Sequence, residues 1–135
     1  MNVEGLTTEE SPMGGLGYER LDAWKRAIQL AHYVYRITKR FPREELFGLT
    51  IQLRRAAVSV AANIAEGTSR SSGKDQARFF EIAFGSLNEI ATMFHIAWGE
   101  QLIVQEDLDC VRRDVSDIGR IRMLSGLRRT ALARK

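Results

Sequence analysis

Hydrophobic positions recur at spacings of three and four residues in four successive runs, the period of an α-helix that buries one face. In the first run Leu21, Trp24, Ile28, Ala31 and Tyr35 predict a helix over about residues 21–41. Pro42 ends it, because the residue before a proline avoids the α region. Leu46, Leu49, Leu53, Ala57, Val60 and Ile64 predict a second helix over about 44–66. Its many Ala and Ser positions make it thin enough for close packing. Gly67 stands where a left-handed helix cap is expected. A third helix starts near Ser72 or Lys74, with the Ser72 hydroxyl as N-cap, and reaches about Glu100. The fourth covers about 106–131, with Leu108, Val111, Val115, Ile118, Ile121 and Leu124 as its stripe. Acids in its first turn and Arg128 and Arg129 near its end complement the helix dipole.

No stretch alternates with the two-residue period of a strand, and short breaks separate the runs. The fold class expected is all-α: an antiparallel up-down-up-down four-helix bundle. Residues 1–18, with Pro12, Gly14, Gly15 and Gly17 and few apolar positions, are expected to be a flexible tail. Residues 19–131 would form the bundle and residues 132–135 a basic C-terminal tail.

The third helix is wider in its apolar face than one core requires. Between Phe79 and Trp98 the apolar residues cover roughly 200° of arc at about 100° per residue. A second buried contact with another copy of the chain would use the excess, with Phe80, Phe84, Ala91 and Trp98 as the oligomer face. Gly85, Thr92 and Gly99 recur every seven residues on the other side, either as a seam for close approach or as a weakly polar face.

Composition fits one globular domain of 135 residues, 44% of them hydrophobic. The single cysteine, Cys110, cannot form an intrachain disulfide and suits a reducing, cytoplasmic setting. Residues 1–19 hold four acids and no Lys or Arg, unlike a signal peptide. No apolar run approaches the ~18 residues of a membrane span.

Catalytic patterns are missing, so no enzyme is expected. His32 and His95 lack the Glu-x-x-His spacing of di-iron bundles and the His-Glu-x-x-His of zinc proteases, so no metal or other cofactor is expected. His95, at the edge of the apolar arc, reads as a hydrogen-bonded structural residue. Cys110 reads as core or boundary, without an evident base. The segment from Gly67 to Asp75 imitates a phosphate loop but has five residues between its glycines and Asp75 in place of the magnesium-binding hydroxyl.

The net charge of +3 conceals segregation. Residues 20–78 carry twelve bases against five acids, residues 79–111 six acids and no base, and residues 112–135 eight bases against two acids. In an antiparallel bundle one pole would collect eleven Lys and Arg against three acids. Arg70, Lys74, Arg78, Arg128 and Arg129 would contact phosphates of RNA or DNA there, reading backbone and little sequence, since no aromatic stacking platform accompanies them. A basic end serving only solubility and helix dipoles is the alternative. On the second helix Arg55, Ser59, Asn63 and Glu66 follow helical spacing. They are expected to form a structural polar network, or else to border a groove.

The run from Leu53 to Gly67, continued by Arg70, Arg78-Phe79-Phe80, Ile82-Ala83 and Gly85-Ser86-Leu87, resembles the most characteristic segment of the 23S ribosomal RNA intervening-sequence protein family. Leu21, Trp24, Ala27, Phe41-Pro42 and Phe47-Gly48-Leu49-Thr50 extend the resemblance over about residues 18–127. It implies four-helix bundles assembled as ring-like pentamers, similar to the accessory proteins of diversity-generating retroelements, which are basic barrels that bind nucleic acid and a reverse transcriptase. It implies no catalytic residues. Thr68-Ser69 departs from the aromatic-glycine pair expected after Gly67, and the acidic segment before Tyr18 is additional. Two roles follow as expectations: a nucleic-acid or ribonucleoprotein accessory, or a scaffold that presents a homo-oligomer to a protein partner.

Overall fold

The computed structural model describes residues 17–120 together with 132 and 133. It holds four α-helices: α1 (Asp22–Thr38), α2 (Ile51–Ser69), α3 (Gly73–Gly99) and α4 (Gln105–Gly119), with no strand among the described residues. They pack around one core, to which α1 contributes Leu30 and Val34, α2 Leu53, Val60 and Ile64, α3 Leu87, Ile90 and Phe94, and α4 Leu108, Val111 and Ile118. On α2, α3 and α4 these are the apolar positions picked out in the sequence; on α1 the buried face is instead Ala23, Ala27, Leu30, Val34 and Ile37, while the expected stripe of Leu21, Trp24, Ile28 and Ala31 is only half-buried and Tyr35 is exposed.

α1 ends at Thr38, three residues earlier than its stripe suggested. The Thr38 hydroxyl donates to the Val34 carbonyl at 2.7 Å and accepts from Arg54 Nε of α2 at 2.9 Å. The amides of Arg40 and Phe41 then reach back only three residues, so the chain tightens before Pro42. The Arg54 guanidinium also lies 4.7 Å from the centroid of the Tyr35 ring, fastening α1 to α2.

The second helix does not begin as one regular rod at Glu44. A 3-10 turn at Arg43–Glu45 leads into a π-helical turn at Leu46–Thr50. Gly48 sits there at φ −108° and ψ −114°, and Glu45 Oε1 accepts from the Leu49 amide. Side chains of Leu46 and Phe47 at this turn point into solvent.

α3 starts as expected, with Ser72 Oγ accepting from the Asp75 amide at 3.1 Å. α4 opens with Asp107 Oδ2 accepting from the Val104 amide at 3.3 Å. It does not run unbroken to residue 131. Gly119 is its last helical residue and Arg120 is extended at φ −65° and ψ 157°. Glycine is a weak helix former, so an end there is unsurprising. Residues 121–131, including Arg128 and Arg129, lie outside the described residues.

Gly67 is inside α2 and not its cap. Its role is steric. A Cβ at this position would sit 2.6 Å from Phe80 Cε1 and 3.1 Å from the Gln76 carbonyl oxygen. The missing side chain is the space into which the Phe80 ring fits, and it brings the end of α2 against the start of α3.

Candidate functional site

The connection between α2 and α3 gathers the described part of the expected cationic site. Arg70 caps α2, Lys74 lies in the first turn of α3, and Arg78 follows one turn later; all three are exposed. The Gln76 side chain, buried at the base, donates to the Arg70 carbonyl at 3.0 Å and holds the connection against α3.

A ring organises these cations. The guanidiniums of Arg70 and Arg78 lie 4.7 and 4.8 Å from the centroid of Phe79. Each contact is worth about 0.5–1 kcal/mol at an exposed site. The sequence predicts no aromatic stacking platform here and counts Phe79 only as part of a wide apolar face; this single ring instead contacts two guanidiniums. The pattern Arg70…Arg78-Phe79 contained the signal, but only the fold of the connection brings Arg70 back over the ring.

Charge at the edge is partly compensated. Glu66 Oε2 lies 2.9 Å from Arg70 Nη2. Asp75 stands in the first turn of α3, where it already favours the positive end of the helix dipole. Among the described residues Lys74 and Arg78 take part in no ion pair. Elsewhere Arg26 is bound to Asp117 at 2.8 Å. Side chains, more than the helix end, must carry any attraction for anions.

The polar network is smaller than the spacing on α2 suggested and includes a residue from α3. Asn63 Nδ2 donates to the Ser59 carbonyl at 2.8 Å and to Ser59 Oγ at 3.0 Å, and Ser86 Oγ donates to Ser59 Oγ at 2.8 Å. Arg55 and Glu66 are exposed and outside it. They lie a little further round the helix, where solvent and Arg70 satisfy them.

The expected oligomer face is also redrawn. Phe80 is 3% exposed in the core, and Phe84 and Ala91 are half-buried. Phe84 turns toward α4, with its ring 3.4 Å from where a Cβ of Gly119 would stand. Of the four residues only Trp98, at 44%, is well exposed. Apolar surface is left instead at Ile82 (44%) and Ile96 (49%), fourteen residues apart on one face of α3, and separately at Val58 (49%) of α2. A shallow groove of about 310 Å³ is lined by Gln52, Gly85, Asn88, Glu89, Thr92 and Met93. Gly85 and Thr92, two of the three residues in the seven-residue repeat, face that groove.

His95, expected as a hydrogen-bonded structural residue at the edge of the apolar arc, is exposed, and so is His32. Cys110 is at the boundary of the core. Near it Tyr33 donates to Asp107 Oδ1 at 3.1 Å. Burial first, then the neighbouring Cys110 and Asp107, push the Tyr33 phenol well above its ordinary range. Among the described residues no group of three His, Cys, Asp or Glu side chains could hold a metal ion. No described helix is long and apolar enough to cross a membrane.

A second shallow groove, of about 380 Å³, adjoins the basic connection. Gly17 and Tyr18 form one wall, and Ala62, Ala65, Thr68 and Ser69 of α2 form the other. Comparison with protein families finds one model matching residues 19–126, described as 23S rRNA-intervening sequence protein. No curated protein matches the chain at a significant level.

Proposed function

Because the chain belongs to the 23S rRNA-intervening sequence protein family, we propose that it is a non-enzymatic, homo-oligomeric accessory of a nucleic-acid or ribonucleoprotein assembly. It holds phosphate backbones, of RNA or DNA, at the edge formed by Arg70, Lys74, Arg78 and Phe79. The observation that carries this reading is that the guanidiniums of Arg70 and Arg78 lie 4.7 and 4.8 Å from the centroid of one ring. Two cations fixed against one ring draw anions to the same edge. Lys74 adds a third donor group on the same edge. Such contacts fix a backbone without reading bases, so binding is largely indifferent to sequence.

In this reading the helices run antiparallel. Ser59 and Gly67 ascend α2 while their partners Ser86 and Phe80 descend α3. Arg26 and Tyr33 ascend α1 while Asp117 and Asp107 descend α4. In that arrangement the end of α4 shares the pole of the α2–α3 connection. A ring of copies would repeat the edge around an axis and multiply its field.

A mobility-shift titration of native protein and of the Lys74→Ala/Arg78→Ala double variant tests the proposal. Removing one cation from a phosphate lowers the slope of log K against log salt by about 0.9 on duplex DNA. The double variant is expected to lower it by nearly two and to weaken low-salt binding about tenfold or more. Absent binding at low salt, or equal binding by both proteins, refutes the proposal.

A second reading, a scaffold without nucleic-acid binding, has one observation in its favour: the flank of α3 that leaves Ile82 and Ile96 exposed. Exposed apolar side chains on one helix face suit association with protein. Loss of assembly on charging this flank, with no nucleic-acid binding by the native protein, would select it.

A further inference from the structure

We infer that the groove beside the basic edge takes one unpaired nucleobase, guanine in preference, from a single strand whose phosphates lie on Arg70, Lys74 and Arg78. The inference rests on reading that edge as a phosphate site, and it adds the base contact that cations alone do not make. The groove, of about 380 Å³, lies between Tyr18 and the α2 residues Ala62, Ala65, Glu66, Thr68 and Ser69. Its two alanines keep the helix side thin. Tyr18 supplies an aromatic wall, with its ring centroid 5.2 Å from that of Trp24. The Tyr18 carbonyl accepts from the Leu21 amide at 3.1 Å, which ties this wall to the start of α1. A flat base between an aromatic wall and small side chains gains stacking contact.

One ion pair joins the groove to the edge. Glu66 lines the groove, and its Oε2 lies 2.9 Å from Arg70 Nη2. The same Arg70 guanidinium lies 4.7 Å from the centroid of Phe79, which Arg78 also contacts. A nucleotide with its base in the groove therefore brings its phosphate beside these cations. The polar side chains that α2 sets along the groove accept hydrogen bonds. Thr68 Oγ1 donates its hydrogen to the Ile64 carbonyl and Ser69 Oγ donates its own to the Glu66 carbonyl, both at 2.8 Å. Each hydroxyl oxygen keeps lone pairs, and a carboxylate has only acceptors to offer. Such a set favours a base edge that donates. Guanine presents N1–H and its N2 amino group side by side, which matches one carboxylate. Thymine and uracil offer a single N–H between two carbonyls. In a duplex these edges are paired inside the stack, so only an unpaired base enters.

The test uses full-length native protein and the variants Ala62→Leu and Glu66→Gln. Probes are fluorescein-labelled strands of about twelve nucleotides: oligothymidine, the same strand with one central guanine, and a duplex of equal length. Anisotropy at about 50 mM salt gives the affinities. Native protein should prefer the guanine strand to oligothymidine by about fivefold or more, the discrimination of one bidentate base contact. Ala62→Leu fills the groove from an exposed helix position. It should weaken binding of the guanine strand about tenfold, the effect of one lost stacked base, and leave binding of the duplex unchanged. Glu66→Gln should erase the guanine preference while oligothymidine binds as before or more tightly, because Arg70 loses its carboxylate partner. Equal affinity of native protein for the two single strands, or an Ala62→Leu variant that binds them as native protein does, overturns the inference and leaves the phosphate edge standing. If no strand binds at all, the phosphate-site reading fails, and guanosine monophosphate alone decides the groove. The amide resonances of Thr68 and Ser69 should then shift with guanosine monophosphate and much less with uridine monophosphate; equal or absent shifts reject the inference.

Discussion

Adding one methyl group at Gly67 tests how the α2–α3 interface is built. In Gly67→Ala the new Cβ would stand 2.6 and 2.9 Å from two carbons of the Phe80 ring and 3.1 Å from a backbone oxygen of α3. The ring is almost fully buried and the oxygen belongs to a helix, so neither can swing aside cheaply. Overpacking of this kind costs about 1–3 kcal/mol. Against it, alanine is the better helix former by about 1 kcal/mol. Sterics should win by up to about 2 kcal/mol, which lowers Tm by as much as roughly 6–10 °C in a domain of this size. Thermal unfolding followed by circular dichroism measures it. Two companions make the cause identifiable. Gly99→Ala, where a Cβ would meet nothing within 4 Å, should be neutral or stabilising by about 0.5 kcal/mol. Phe80→Leu should cost less in the Gly67→Ala background than alone, with a coupling of about 1 kcal/mol. A Gly67→Ala protein that melts above the native one would show that helix propensity governs this position and that the notch is not needed.

Other parts of the structure give further expectations. Ser59→Ala removes the acceptor of Ser86 and Asn63 and should cost about 1–2 kcal/mol in denaturant unfolding, whereas removing both hydroxyls in Ser59→Ala/Ser86→Ala should cost less than the two single changes added. Ile82→Lys with Ile96→Lys should leave the helical content intact and reduce the particle mass in light scattering to that of one chain; an unchanged oligomer would reject this flank as its interface. The raised Tyr33 pKa means that the folded state keeps the phenol proton longer than the unfolded chain does. Its contribution to stability is complete below about pH 10, where the unfolded tyrosine titrates, and is lost as pH climbs from there toward the folded value. Tyr33→Phe should flatten that alkaline decline, as chemical unfolding at a series of pH values would reveal.

Much of the architecture was visible in periodicity, since Leu53, Leu87 and Leu108 lie on faces that a helix must bury, whereas α1 buries Leu30 and Val34, each one residue before the expected Ala31 and Tyr35. The Ser72 cap was legible because it depends on a hydroxyl three residues before a free amide. What failed depends on relations between helices. Gly67 resembles a cap in one dimension, and only the position of Phe80 turns it into a notch. The width of the apolar arc on α3 was correct, but periodicity cannot say how much of it α2 and α4 together cover. They cover Phe80 and most of Phe84, leaving Ile82 and Ile96 outside. Spacing on α2 linked Arg55 to Glu66 through Ser59 and Asn63, yet a network closes through distance in space, and Ser86 was twenty-seven residues away. Phe79 was hidden for the same reason: its partner Arg70 lies nine residues back, across a turn between helices.

Phe79 and Phe80 are consecutive, and this joins the interior to the rim. The second ring is keyed into the gap that Gly67 leaves, so α3 cannot roll about its own axis or slide along α2 without unseating it. The first ring moves with the same backbone and carries two guanidiniums. The spacing of charges on the outside is therefore gauged by a fit on the inside, and a defect in that fit would blur the cationic edge even where no charged residue had been altered.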